Sequence, residues 1–143
     1  MLMGKYQNSI DAKSRMIIPS KCRDDLGASC VLTRGIDKCL YVYPMGEWSK
    51  FMEKLSKLPT SDSKARAFVR HFYANAIECE MDKQGRITLS QELREYASID
   101  KELITVGVID KLEIWAREEW EREAEEMRSS TWDMAEKMAE YGI

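Results

Sequence analysis

Two short segments carry residues whose types and spacing can do chemistry on a partner. Asp11-Ala12-Lys13-Ser14-Arg15 and Asp82-Lys83-Gln84-Gly85-Arg86 each place an aspartate four positions before an arginine, and the two lie 71 residues apart. An aspartate at the head of a tight turn accepts hydrogen bonds from backbone N–H groups just downstream, which stiffens the loop. An arginine leaving a stiff loop loses less entropy when it docks. Its guanidinium pairs bidentately with guanine O6 and N7, or with a phosphate. Lys13 and Lys83 lie inside the turns and suit phosphates, which position a protein without reading sequence. The plainer alternative is a turn closed by its own ion pair, and such surface pairs contribute only about 0–1 kcal/mol. Residue chemistry alone leaves both readings open.

Other chemistries lack their residues. Four cysteines stand at positions 22, 30, 39 and 79 with no C-x-x-C pair, and His71 is the sole histidine. Zinc sites draw on closely spaced thiolates and imidazoles, so no metal and no cofactor is expected. The cysteines read as small buried apolar groups in a reducing compartment. Asp11, Asp82 and His71 are in principle capable of acid–base work. No nucleophile elbow, phosphate-binding glycine loop or H-E-x-x-H pattern accompanies them. We expect no enzyme.

The paired turns belong to a longer repeat. Ile36-Asp37-Lys38 matches Ile109-Asp110-Lys111, Leu40-Tyr41-Val42-Tyr43 matches Leu112-Glu113-Ile114-Trp115, and Glu47-Trp48 matches Glu119-Trp120. The offset drifts between 71 and 73, as small loop insertions produce. Internal repetition sets the architecture before any other inference.

Each copy parses alike. Residues 5–10 and 76–81 are strand candidates; Ile77, Cys79 and Met81 alternate with Glu78 and Glu80, the period of a half-buried strand. The Asp-x-x-x-Arg segment then turns the chain. Met16-Ile17-Ile18 and Ile87-Thr88-Leu89 return, predicting a hairpin in each copy. Pro19-Ser20 and Ser90-Gln91 open short helices to about Leu26 and Ala97. Further strands are predicted at Cys30–Thr33, Cys39–Tyr43, Glu102–Val106 and Lys111–Trp115. Between the copies, Trp48, Phe51, Met52, Leu55 and Leu58 form one helical stripe, which Pro59 ends. Ala65, Phe68, Val69 and Phe72 form a second, with Lys64, Arg66, Arg70 and His71 expected on its solvated face. Trp48 and Trp120 read as core residues. A helix begins near Arg117, with Ser129-Ser130 expected to interrupt it. The divisions are a first module at 5–48, a helical linker at 49–75, a second module at 76–120 and an acidic helical tail at 121–143.

Charge is unevenly spread. The chain carries 22 basic and 25 acidic side chains, yet Arg117–Glu140 alone holds nine acids against four bases. Residues 1–116 are therefore slightly basic, and a local basic face matters more to DNA than the total. The acidic tail would have to point away from DNA. No apolar run approaches a membrane span, and no secretory pattern opens the chain. We expect a soluble, intracellular protein.

Asp11–Arg15, its second copy Asp82–Arg86, the run Leu32-Thr33-Arg34-Gly35-Ile36-Asp37-Lys38-Cys39-Leu40 and the opening Met3-Gly4-Lys5-Tyr6 together resemble the MraZ family over roughly residues 1–125. The resemblance implies an α+β, β-rich fold. Two AbrB-like β-α-β modules would pack about a pseudo-two-fold axis as a double-split β-barrel, with two linker helices and a C-terminal helix. It also implies a sequence-specific DNA-binding transcriptional regulator, usually a repressor, of the division and cell-wall gene cluster that includes its own gene. Its partners would be short repeated promoter boxes of double-stranded DNA and further copies of itself, in a homo-oligomeric ring of about eight or more subunits. Its place would be cytoplasmic and nucleoid-associated. Lys13, Arg15, Lys83 and Arg86 are then assigned to DNA, and Asp11, Asp82 and Gly85 to shaping the turns. Two positions depart from the pattern. Ser14 stands where family turns carry glycine, as at Gly85, and Ser90 stands where the first copy has Pro19. The alternative is a protein–protein adaptor of antitoxin type that uses the acidic C-terminal tail.

Overall fold

The computed structural model describes residues 1–143. The first half runs β1 (Leu2–Ser9), β2 (Arg15–Ile17), a 3-10 turn leading into α1 (Arg23–Leu26), β3 (Ser29–Arg34), β4 (Leu40–Pro44) and α2 (Met45–Ser56). Helix α3 (Ser63–Tyr73) joins the halves. The second half repeats the order: β5 (Ile77–Glu80), β6 (Arg86–Thr88), α4 (Gln91–Tyr96), β7 (Glu102–Ile109), β8 (Leu112–Ala116) and α5 (Arg117–Met138). The fold is α+β and β-rich, as expected. No helix is long and apolar enough to cross a membrane.

Local chemistry sets the boundaries. Gly27 ends α1 at φ 82°, a conformation that costs glycine little. The Asp62 carboxylate caps α3 by accepting from the backbone N–H groups of Lys64 and Ala65. Ser90 Oγ accepts from Leu93 N at the head of α4.

Six strands form one antiparallel sheet in the order β1-β7-β8-β4-β3-β5, and β2 pairs β6 in a separate two-stranded ribbon. Exchanging the halves maps the six-stranded order onto itself. The pseudo-two-fold axis passes between Tyr41 and Glu113, which face each other where β4 meets β8. The halves also exchange strands: β1 pairs β7 from Leu2↔Ile109 to Ser9↔Glu102, and β5 pairs β3 from Ser29↔Glu80 to Leu32↔Ile77. The ladders do not close into one continuous barrel, because β1 and β5 remain the sheet's edges.

This arrangement corrects the predicted hairpins. Each return strand pairs with its twin across the axis, Arg15↔Thr88, Met16↔Ile87 and Ile17↔Arg86, rather than with the strand before it. Pairing the twins lets Met16, Ile18, Ile87 and Leu89 all enter one core, where each is at most 1% exposed. Each saves about 1.5–3 kcal/mol relative to exposure.

Two cores lie on opposite faces of the sheet. The inner core joins the ribbon residues to Leu32, Leu40, Val42, Leu103, Leu112 and Ile114, with Leu26 and Leu93 from α1 and α4. The outer core joins Val31, Tyr41, Tyr43, Ile104 and Trp115 to Trp48 and Leu55 of α2 and Phe72 of α3. Alternate residues of each strand serve opposite faces. Cys22, Cys30 and Cys39 are buried among these apolar groups and all four cysteines are free. The sheet thus stands between the ribbon and helices α2, α3 and α5, and the acidic helix lies on the side away from the ribbon.

Two local expectations need correction. His71 is not simply on a solvated face: its ring N–H at Nε2 donates to Gly35 O at 2.8 Å, and its edge packs on Phe72 and Tyr96. Arg66 and Arg70 of the same helix do stay exposed. Helix α5 runs unbroken through Ser129-Ser130. The Ser129 hydroxyl donates to Glu126 O and the Thr131 hydroxyl to Met127 O, so these side chains bond back within the helix instead of capping a new one.

Phe72 locks α3 onto the outer core, fully buried between Tyr41, Phe51 and Phe68. Phe72→Ala should destabilise the fold by about 3–5 kcal/mol in urea unfolding. Phe68→Ala, at a ring 40% exposed, should cost markedly less. Equal losses would mean that Phe72 is not the anchor.

Candidate nucleic-acid interface

The two Asp-x-x-x-Arg turns have the same geometry. Asp11 Oδ1 accepts from the backbone N–H groups of Lys13 and Arg15, both at 2.9 Å, while Oδ2 accepts from Arg15 Nε at 2.8 Å. Asp82 does the same with Gln84 N and Arg86 N at 2.9 Å, and with Arg86 Nε at 2.7 Å. Asp11 N donates to Arg15 O, and Asp82 N to Arg86 O, which closes each loop. The internal ion pair and the projecting arginine are therefore not alternatives. The carboxylate holds the guanidinium by Nε alone, and the outer Nη atoms have no partner in the chain.

The fourth residue of each turn solves the same backbone problem. Gly85 sits at φ 76° and Ser14 at φ 62°, so serine adopts the left-handed conformation in the first copy. That costs a residue with a Cβ roughly 1–2 kcal/mol, which the turn's hydrogen bonds and the ribbon must over-determine. The turns are tied across the axis: Ile18 N donates to Gly85 O and Leu89 N to Ser14 O, each at 2.8 Å.

The ribbon brings the arginines together. Met16 and Ile87 face each other and point into the core, so Arg15, Ile17, Arg86 and Thr88 share the opposite, solvent-facing side. Diagonal neighbours in such a pair lie about 7–8 Å apart. Both arginine side chains are about a quarter exposed, at 28% and 25%. Lys13 and Lys83 are exposed without ion-pair partners, one in each turn but at different turn positions. Of the residues singled out from sequence, Lys13, Arg15, Lys83, Arg86, Asp11, Asp82 and Gly85 all gather on this one end of the molecule.

Sequence reasoning missed two contributors. Arg23 crosses from the first half to the second half's turn: a Cβ at Gly85 would fall 2.4 Å from its Cζ and Nε. Its Nε donates to Ile18 O at 3.0 Å, and Arg94 Nε donates to Leu89 O at 3.1 Å in the twin position. The signal was present, since Arg23 and Arg94 recur at the same 71-residue offset as the turn residues. The second omission is the pair Ile17 and Thr88, whose methyl groups stand beside the arginines. Ile17 is 48% exposed between two fully buried neighbours, Met16 and Ile18. An apolar run hides which of its members points outward.

Comparison with known proteins agrees with this doubled construction. The family model described as "MraZ protein, putative antitoxin-like" matches twice, over residues 1–71 and 72–140. The chain belongs to the MraZ family. It is 51% identical to the transcriptional regulator MraZ of Clostridium acetobutylicum over the whole of both chains. It is 49% identical to that of Clostridium tetani and 48% identical to that of Caldicellulosiruptor saccharolyticus, again over full length. Membership places it in a family of transcriptional regulators. The two family matches meet at α3, the helix that joins the structural halves.

The aspartates titrate as their surroundings dictate. The backbone N–H of Arg15, ahead of its side chain and the Lys13 N–H, holds the Asp11 carboxyl below its ordinary value of 3.8. Arg86 N–H leads in the same way for Asp82. A carboxyl depressed on folding stabilises the fold above its unfolded pKa, and that contribution disappears as pH falls through the folded value. Carboxyl-detected NMR titration should therefore show both aspartates more than half ionised at pH 3.8, with the Lys13, Arg15, Gln84 and Arg86 amides losing protection together only as pH falls further. Midpoints at or above 3.8 would contradict the clamp. Gly85→Ala should cost about 1–2 kcal/mol from its positive φ and push Arg23 aside, measurable by chemical denaturation. A neutral result would mean the turn can relax.

Proposed function

We propose that the chain binds double-stranded DNA sequence-specifically through the solvent face of the β2–β6 ribbon, and that it acts as a repressor. The observation that carries this reading is the pair of guanidinium groups on one face, each fixed at Nε by its own aspartate and free at Nη. A two-stranded ribbon fits the major groove. Each fixed guanidinium is poised for guanine O6 and N7, Lys13 and Lys83 for flanking phosphates, and the methyl groups of Ile17 and Thr88 for thymine. Asp11, Asp82 and Gly85 keep the turns in shape, so little ordering remains to be done on binding. The sheet keeps the acidic α5 on the far side of the body, which answers the unfavourable net charge of −3.

Two arginine turns per chain offer a small contact. We take affinity to come from assembly: a ring of about eight or more copies would present several ribbons to several repeated boxes, and linked contacts multiply through effective concentration. The family likeness supports the promoter of the division and cell-wall gene cluster, including the chain's own gene, as the target. It likewise supports a cytoplasmic, nucleoid-associated location.

The test is a binding titration on the chain's own upstream DNA and on a scrambled duplex, at several salt concentrations. Arg15→Ala and Arg86→Ala should each weaken binding to the native sequence by about 1–3 kcal/mol and affect the scrambled duplex much less. Lys13→Ala and Lys83→Ala should weaken both duplexes alike and reduce the salt slope by about 1. Equal loss on both duplexes would reassign the arginines to phosphates. Full binding by the Arg15→Ala/Arg86→Ala double variant would remove the interface from this ribbon.

A further inference from the structure

The four cysteines are not alike. Cys22 and Cys39 are buried with no second thiol in hydrogen-bond reach. Cys30 and Cys79 face each other directly across β3 and β5, and their sulfurs lie 3.7 Å apart. Strand β3 belongs to the first half and β5 to the second, so the pair bridges the halves. Cys30 is fully buried in the inner core. Cys79, on an edge strand, is half-buried and open to a small solute.

The fold does not demand cysteine at these places. Exchanging the halves carries the pair onto Asn8↔Leu103 at the other edge of the sheet. Leucine fills that core position as completely as Cys30 fills its own. Asn8 braces the ribbon there, donating from Nδ2 to Ile17 O at 2.8 Å. Cys79 holds the equivalent place in the second half, between the sheet edge and the ribbon and three residues before Asp82. The contact with Cys30, helped by the Leu32 backbone N–H and opposed by burial, brings the Cys79 thiol below its ordinary value of 9. The same contact, together with burial, pushes Cys30 up. Thiolate is the reactive form, so Cys79 attacks and Cys30 resolves.

We propose that Cys30 and Cys79 form a peroxide-sensitive dithiol site whose disulfide loosens the second arginine turn. Its effect on DNA rests on the function proposed above, whereas the disulfide itself does not. The Cys79 thiolate attacks one oxygen of hydrogen peroxide and breaks the O–O bond. Cys79 becomes a sulfenic acid, and the released hydroxide takes a proton and leaves as water. Cys30 sulfur then displaces hydroxide from the sulfenic sulfur; the S–S bond forms, the S–O bond breaks, and the Cys30 proton leaves in the second water. Two thiols are oxidised and one peroxide is reduced. A reducing dithiol reverses the step by exchange.

Strand geometry sets the consequence. Met81 N donates to Ala28 O, two places along the ladder from Cys79 and Cys30, so the cysteines take a hydrogen-bonded position. Cβ atoms stand about 5.5 Å apart at such positions, against about 3.5–4.5 Å in a disulfide. Closing the bond therefore draws the short edge strand toward β3. Met81 and Asp82 follow directly, so the strain passes into the second turn and leaves the first untouched. A bond strained in this way is readily reduced again, as a switch in a reducing compartment requires.

The experiment treats the full chain with one equivalent of hydrogen peroxide. Tryptic peptides 24–34 and 71–83 each carry one of the two cysteines. Mass spectrometry should find them joined, with the chain lighter by two hydrogens, and dithiothreitol should part them. In the oxidised chain, hydrogen exchange at the Gln84 and Arg86 amides should rise while that at Lys13 and Arg15 holds. Binding to the chain's own upstream DNA should weaken about tenfold, the scale of one bidentate base contact, and recover on reduction. Cys79→Ser should bind as the reduced wild type does and ignore peroxide. Cys30→Ala should stop at a sulfenic acid on Cys79, which dimedone traps. Peptides that stay unlinked, or a linkage to Cys22 or Cys39 instead, would overturn the site. A linked chain whose Gln84 and Arg86 exchange and DNA affinity both stay unchanged would overturn the coupling to the turn. Exchange that rises in a chain with no affinity for its upstream DNA, even when reduced, would uphold the dithiol and overturn the proposed function instead.

Discussion

The pairing of β2 with β6 across the axis is the contact on which the rest of the structure depends. Three residue pairs make up this ladder, and an isolated two-stranded ribbon is marginal in water. It holds because its inward side chains, with Ile18 and Leu89 just beyond them, close the inner core. That single arrangement fixes three things together. It buries the apolar side of both return strands, it aligns Arg15 and Arg86 on the other side, and it forces the two turns to face the same way. If each return strand had paired with its own β1, the arginines would be set by two separate hairpins, and their spacing would depend on how the halves pack.

Within each turn the chemistry is local and self-contained. One carboxylate satisfies two backbone N–H groups and one side-chain Nε–H. An exposed ion pair alone would contribute little. Here its use is geometric: it removes rotamer freedom from an arginine while leaving the outer nitrogens unspent. The equal geometry at Ser14 and Gly85 shows how strongly the carboxylate and the cross-axis bonds over-determine the backbone, since the two residues differ in their intrinsic tolerance of positive φ. Arg23 gains from the difference, because only a residue without a Cβ leaves room for its guanidinium.

Much of this was legible in the sequence, and what was not follows a physical pattern. The repeat, the element types and the make-up of each Asp-x-x-x-Arg turn depend on short-range spacing, which a sequence displays directly. The partner of each strand does not. In a duplicated chain β1 matches β3 and β7 equally well in pattern, since both descend from the same unit, so exchanged and unexchanged pairings satisfy the same alternation. Only the ladder from Leu2↔Ile109 to Ser9↔Glu102 distinguishes them. His71 was misread for a related reason: its acceptor, Gly35 O, lies 36 residues away. The unbroken course of α5 through Ser129 and Ser130 was misread because serine both caps helices and bonds back within them, and neighbouring turns decide which.

The duplication also explains why one face stayed symmetric while the other diverged. On the proposed function, DNA offers both turns the same repeated backbone, so equivalent turns gain by remaining equivalent. Glu113 and Tyr41 show the opposite tendency. They face each other at the axis, yet one is a tyrosine packed against Phe72 and the other a carboxyl that burial pushes above its ordinary range. A helix such as α3 can cover the tyrosine, and the same helix would leave that carboxyl desolvated and opposed by Asp37. The second half therefore keeps its outer face more polar and more open than the first, and the chain beyond it is free to run on as an acidic helix rather than fold back.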